Sequence, residues 1–215
     1  ITFKGQIITF AAFDRDSNRL ANGLASLGLA PGDRLSLYVP NCPQYELGFY
    51  AASKLGAIAC PMNPSYRERE IVYQVNDTGA RILVTHAVLW PHVRACRSRL
   101  TCVERFVVIG DADDSGDEAV SYEDIVGSAS GTAPAVRVDP DQLIALPYSS
   151  GTTGLPKGVM LTHRNLVCNH TQFGTASHLS ADDVYPVYLP LSHIYGVALM
   201  GLAMWSGAHQ ILMER

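Results

Sequence analysis

Five short runs, apolar almost throughout, limit what this chain can fold into more than any other feature: residues 35–39, 57–60, 81–85, 106–109 and 142–146. A strand that is apolar on both faces cannot leave one of them in water, so such runs belong in a sheet covered on both sides. Stretches with helical signals lie among them. Phe13, Leu20, Leu24 and Leu27 fall near one helical face, and Gly28 follows where a left-handed residue can end the helix. Pro31-Gly32-Asp33 turns the chain, Pro43 suits the first turn of a second helix running to about Leu55, and Gly56 leads into the next run. Arg67-Glu68-Arg69-Glu70 opens a third helix with Gly79 as its stop, and residues 88–100 suit a fourth. This alternation predicts an α/β fold, with parallel sheets flanked by helices.

Residues 128–134 are rich in small side chains and read as a connector. They divide the chain into an N-terminal α/β lobe over 1–130 and the start of a second lobe over 131–215. In the second lobe Thr162 suits the N-cap of a helix to about Thr175, residues 184–189 suit a strand, and a small-residue helix is expected from about Gly196 to Trp205. The chain opens on Ile1 and stops as a β-type run emerges at residues 207–215, so it reads as a fragment.

Composition narrows the function classes. With 215 residues, 47% of them apolar, the chain can bury a sizeable core. Its net charge is −4 and its 16 basic residues are scattered, so no nucleic-acid partner is expected. No apolar run approaches the roughly 20 residues that span a bilayer, and no secretory layout opens the chain; no transmembrane segment and a cytoplasmic protein are expected. Five cysteines, none in Cys-x-x-Cys spacing, read as reduced thiols. Asp111, Asp113, Asp114, Asp117 and Glu118 lack the glycine and glutamate spacing of an EF-hand and read as a solvated acidic loop. His163 and His170 stand seven apart with no carboxylate to complete a set, so no metal site is expected from these residues.

The chemistry concentrates in Tyr148-Ser149-Ser150-Gly151-Thr152-Thr153-Gly154-Leu155-Pro156-Lys157-Gly158. Its hydroxyls can donate to phosphate oxygens, its glycines let main-chain N–H groups approach an anion, and Lys157 supplies a fixed positive charge. A P-loop needs Gly-Lys-Ser/Thr running into a helix, whereas here Pro156 precedes the lysine and a β-type run, Val159-Met160-Leu161, follows. The stretch therefore reads as a strand-to-strand connection that folds over a triphosphate. No Gly-x-Ser-x-Gly nucleophile elbow is present around Ser149 or Ser150. A polar surface turn without a ligand is the bland alternative.

The run from Ser149 to Val159 resembles the signature loop of the adenylate-forming superfamily, which contains acyl- and aryl-CoA synthetases, luciferases and amino-acid adenylation domains. The resemblance implies that Ser149, Ser150, Gly151, Thr152, Thr153, Gly154 and Lys157 bind the β- and γ-phosphates of ATP while a carboxylate attacks the α-phosphorus. It gives Lys157 the catalytic role of neutralising the departing pyrophosphate, with Mg2+ sharing the charge. Leu189-Pro190-Leu191-Ser192-His193-Ile194-Tyr195-Gly196, taken alone, is a strand ending in a proline turn, with a packed histidine and tyrosine. It resembles the corresponding stretch of acyl- and aryl-CoA synthetases, which implies that His193, Tyr195 and Gly196 line the pocket for a carboxylic acid. Coenzyme A would then take the acyl group.

The resemblance runs from about Asp14 to the end and implies the N-terminal part of the synthetase-like large domain. The elements that grip ribose, adenine and magnesium, and the mobile C-terminal domain's lysine, would lie beyond Arg215, so the isolated piece is expected to be inactive. Two other readings are an adenylating or luciferase-type enzyme with another acceptor, and a non-catalytic nucleotide-binding module.

Overall fold

The computed structural model describes residues 1–111, 119–149 and 155–214. In chain order they form β1 (Thr2–Phe3), β2 (Gln6–Ile7), α1 (Phe10–Ser26), β3 (Arg34–Tyr38), α2 (Pro43–Leu55), β4 (Ile58–Pro61) and α3 (Glu68–Thr78). There follow β5 (Ile82–His86), α4 (Trp90–Cys96), a 3-10 turn (Arg97–Arg99), β6 (Arg105–Ile109), β7 (Val120–Ser121) and α5 (Tyr122–Ser128). The remainder comprises β8 (Leu143–Ala145), β9 (Tyr148–Ser149), β10 (Lys157–Gly158), β11 (Leu161–Thr162), α6 (His163–Ala176), β12 (Val184–Val187), α7 (Ile194–Ser206) and β13 (His209–Leu212).

All five apolar runs become strands of one seven-stranded sheet, ordered β11-β8-β4-β3-β5-β6-β7. Every pairing in it is parallel except that of β11 with β8. Residues alternate between two clusters, as the twofold period of a strand requires. Ile82, Val84, Val107 and Ile109 join Leu20 and Leu24 of α1 and Tyr45 and Phe49 of α2. Leu83, Phe106 and Val108 join Ile71 and Val75 of α3 and Trp90 and Val93 of α4. Both faces are thus covered by helices, which explains why the runs carry so few polar residues. Each fully buried leucine contributes about 1.5–3 kcal/mol of transfer free energy.

Helix ends follow local chemistry. Thr9 Oγ1 accepts the Ala12 N–H at 3.1 Å to open α1. Pro43 opens α2, and α2 and α3 end on Gly56 and Gly79 at φ 67 and 63, where a side chain would be strained. The helix expected over 88–100 is shorter and finishes in the 3-10 turn, a common way to tighten a last turn. Segment 128–134 is fastened to α1: Asn18 Nδ2 donates to Gly131 O at 3.0 Å, and Asn22 Nδ2 to Ser130 O at 2.7 Å and Thr132 O at 2.8 Å.

A second sheet, ordered β12-β13-β1-β2, places Thr2 opposite Ile211. Polar side chains help join this sheet to the rest. Gln210 Nε2 of β13 donates to Glu46 Oε1 of α2, both fully buried. Asn41, just after β3, donates from Nδ2 to Leu189 O at 2.9 Å and Met213 O at 3.3 Å, and its Oδ1 accepts the Leu191 N–H at 2.8 Å.

His163 and His170 of α6 both border an apolar cavity of about 280 Å³ shared with α2 and α7. The His170 ring lies so close to α7 that a Cβ on Gly201 would come within 2.0 Å of it. All five cysteines are free thiols. The acidic run from Asp113 to Glu118 lies outside the described residues. Among the described residues no helix is long and apolar enough to cross a membrane.

Candidate functional site

The phosphate-type loop leaves the sheet through β8, which runs parallel to β4 and so delivers the chain to the carboxyl edge, where open α/β sheets bind ligands. Its stems form an antiparallel ribbon. Ser149 of β9 stands opposite Lys157 of β10, and Tyr148 opposite Gly158. Paired residues of such a ribbon project to the same side, so the Ser149 hydroxyl and the Lys157 ammonium belong to one face, and both residues are exposed. Lys157 has no ion-pair partner among the described residues. The chain then closes back on the sheet, with the Val159 N–H donating to Pro147 O at 2.8 Å and β11 pairing with β8. The connection is therefore strand to strand. Ser150, Gly151, Thr152, Thr153 and Gly154 lie outside the described residues.

Helix α3 meets both stems. The Tyr148 hydroxyl donates to Asp77 Oδ2, and the Tyr73 hydroxyl donates to Pro156 O at 2.8 Å. The two tyrosine rings meet edge to face, with centroids 6.4 Å apart. Burial, and then the neighbouring Asp77 carboxylate, hold the Tyr148 hydroxyl far above its ordinary pKa and thus protonated. Gly158 lies over the Tyr148 ring, where a Cβ would come within 3.1 Å.

His193, Tyr195 and Gly196 gather at the start of α7. His193 is the N-cap, its Nδ1 accepting the Tyr195 N–H at 3.2 Å, so the neutral ring carries its proton on Nε2. Both His193 and Tyr195 are exposed. Gly196 is buried because nothing larger fits: a Cβ would stand 2.1 Å from Pro190 O. Asn41 fixes the preceding turn through Leu189 and Leu191, so the helix start has a rigid seat. Among the described residues no hydrogen bond links the α7 start to the loop ribbon. The N-terminal end of a helix favours a negative group, and a carboxylate there would meet His193 and Tyr195.

Sequence reasoning did not find Tyr73, Asp77 or the anchoring role of Asn41. Tyr73 and Asp77 sit four apart on α3, and nothing local in the sequence says that their face meets the loop. Asn41 carries a signal, a polar side chain between an apolar run and a helix-opening proline, but not its partners 148 residues and more away.

The chain matches the family model described as AMP-binding enzyme over residues 1–215. It is 39% identical over 220 residues to 4-coumarate-CoA ligase 1 of Narcissus pseudonarcissus, covering 99% of this chain and 39% of that protein. It is 34% identical over 215 residues to 4-coumarate–CoA ligase 2 of Solanum tuberosum, covering 98% and 38%. Among solved structures, the anthranilate CoA ligase AuaEII in complex with anthranoyl-AMP superposes with a TM-score of 0.94 at 27% identity, over all of this chain and 41% of that one. A long-chain-fatty-acid-CoA ligase from Archaeoglobus fulgidus superposes at 0.87 with 31% identity, over 96% and 40%. The chain spans about two-fifths of the length of these relatives. With the family model covering the whole chain and the signature loop set between strands at the sheet edge, the chain belongs to the AMP-binding enzyme family.

Proposed function

We propose that this chain is the N-terminal part of a cytosolic, ATP-dependent carboxylic acid:CoA ligase. The observation that carries the proposal is the ribbon that sets Ser149 and Lys157 on one exposed face at the carboxyl edge of the sheet. Lys157, Ser149 and the groups of Ser150, Gly151, Thr152, Thr153 and Gly154 hold the β- and γ-phosphates. A carboxylate oxygen attacks the α-phosphorus, the bond from that phosphorus to the bridging oxygen breaks, and pyrophosphate leaves with the negative charge that Lys157 offsets. His193, Tyr195 and the close turn at Gly196 orient the acid, a contribution of proximity. In the second half-reaction the coenzyme A thiolate attacks the acyl carbonyl and AMP leaves. The relatives named above are acid:CoA ligases, which supports CoA as acceptor. The free thiols support a reducing compartment.

Magnesium would supply further charge neutralisation. Among the described residues no three His, Cys, Asp or Glu side chains come together to hold a metal.

The test is ATP–pyrophosphate exchange by the full-length protein with a panel of short, medium, long-chain and aryl acids, alongside Lys157→Ala. Acid-dependent exchange is expected, falling about 10²–10³-fold in the variant, the usual effect of removing one group that stabilises developing charge. Exchange that survives the substitution would sink the assignment of Lys157.

A further inference from the structure

The ribbon that presents Lys157 is too small to hold its own shape. Among the described residues only two pairs join its strands, Lys157 with Ser149 and Gly158 with Tyr148, beside one further bond from the Val159 N–H to Pro147 O, and even a full isolated hairpin is marginal in water. Nor is it seated by close packing. A cavity of about 260 Å³ lies on the side facing α3, bordered by Tyr66, Arg69, Tyr73 and Gln74 from the α3 region and by Leu155 and Pro156 from the loop. Beside the edge-to-face contact of the Tyr73 and Tyr148 rings, what spans the gap is a pair of hydroxyl hydrogen bonds, one to each stem: Tyr148 to Asp77 on the incoming strand, and Tyr73 to the Pro156 carbonyl just before the outgoing one. Tyr73 and Asp77 are four apart on α3 and share one face, so a single helix sets the separation and tilt of both stems.

We propose that Tyr73 and Asp77 are positioning residues for the triphosphate: through Pro156 and Tyr148 they fix where Lys157 and Ser149 stand, without touching ATP. This rests on the loop being the phosphate grip proposed above. The helix itself is held independently, by Ile71 and Val75 buried in the core and by Gln74 Nε2 donating to Pro61 O at 2.7 Å. Removing one hydroxyl therefore releases a stem without releasing α3.

The test uses the full-length protein with Tyr73→Phe and Tyr148→Phe, each of which deletes one donor hydroxyl and keeps side-chain shape. A lost hydrogen bond of ordinary strength is expected to raise the KM for ATP about fivefold for Tyr73→Phe, and more for Tyr148→Phe, where the acceptor, Asp77, is charged. The KM for the acid and the thermal midpoint should stay near wild type. Amide exchange of residues 155–162 should quicken in both variants while that of β3 and β5 does not. A merely structural role would instead lower the amount of active enzyme with both KM values unchanged, and that result overturns the proposal. So does exchange of residues 155–162 at the wild-type rate in both variants. If the wild type shows no pyrophosphate exchange with any acid, the ligase reading fails, and the amide exchange still decides whether α3 anchors the loop.

Discussion

Gly196 stands where the α7 start turns back on the proline turn before it, and its neighbour is backbone rather than a side chain that could swing aside. Gly196→Ala would bring a methyl group 2.1 Å from Pro190 O, inside any tolerable contact. The turn is also bound through Asn41 and cannot retreat. The substitution is therefore expected to cost about 1–3 kcal/mol, as overpacking does, and to shift His193 and Tyr195. Urea unfolding of the full-length protein measures the first, and the KM for the acid reports the second; an unchanged midpoint would mean that the turn is softer than its hydrogen bonds imply.

At the scale of the element, α6 shows how much a cap does where few side chains are buried. Only Leu166 and Gly174 of its 14 residues are buried. Its start is set by a reciprocal pair, Thr162 Oγ1 accepting the Asn165 N–H at 3.1 Å and Asn165 Oδ1 accepting the Thr162 N–H at 3.0 Å. Thr162→Ala should cost about 1 kcal/mol and Thr162→Ser much less, read from thermal midpoints. Elements of this kind were legible in the sequence because their signals are local: caps, prolines, stop glycines and apolar period placed α1, α2, α3 and α6 within a residue or two. Strands β1, β2 and β7 were not, since two residues carry no period, and they exist only because a distant strand pairs with them. The candidate site divides the same way. Lys157, His193 and Tyr195 are marked by local motifs. Tyr73, Asp77 and Asn41 act on segments 83, 71 and 148 residues away, and that distance is invisible to any window.

On the scale of the whole molecule, the buried Glu46–Gln210 contact makes the joint between the two sheets sensitive to pH. Burial pushes the Glu46 carboxyl up to about 7 from the ordinary 4.5, although the Gln210 amide pulls the other way. A carboxyl raised in the folded state is favoured neutral. Its stabilising contribution is complete below the unfolded value of 4.5 and is lost as pH rises through about 7. From this group alone the unfolding free energy should fall by roughly 3 kcal/mol across that window, at 1.36 kcal/mol per pKa step. Glu46→Gln should flatten the decline; comparing urea unfolding at pH 5 and pH 7.5 for the two proteins checks it, and parallel declines would move the cause elsewhere.

The parallel pairing of Thr2 with Ile211 also sets a timetable. Strand β1 leaves the ribosome some 200 residues ahead of its neighbour β13. At about 5–20 residues per second the wait is on the order of 10–40 s, far longer than a helix or a βα unit needs to form. The seven-stranded sheet can close from neighbouring pieces during synthesis, whereas β1 and β2 must stay unpaired with the second sheet throughout, an interval in which a nascent chain depends on its surroundings to keep an open edge from the wrong partner.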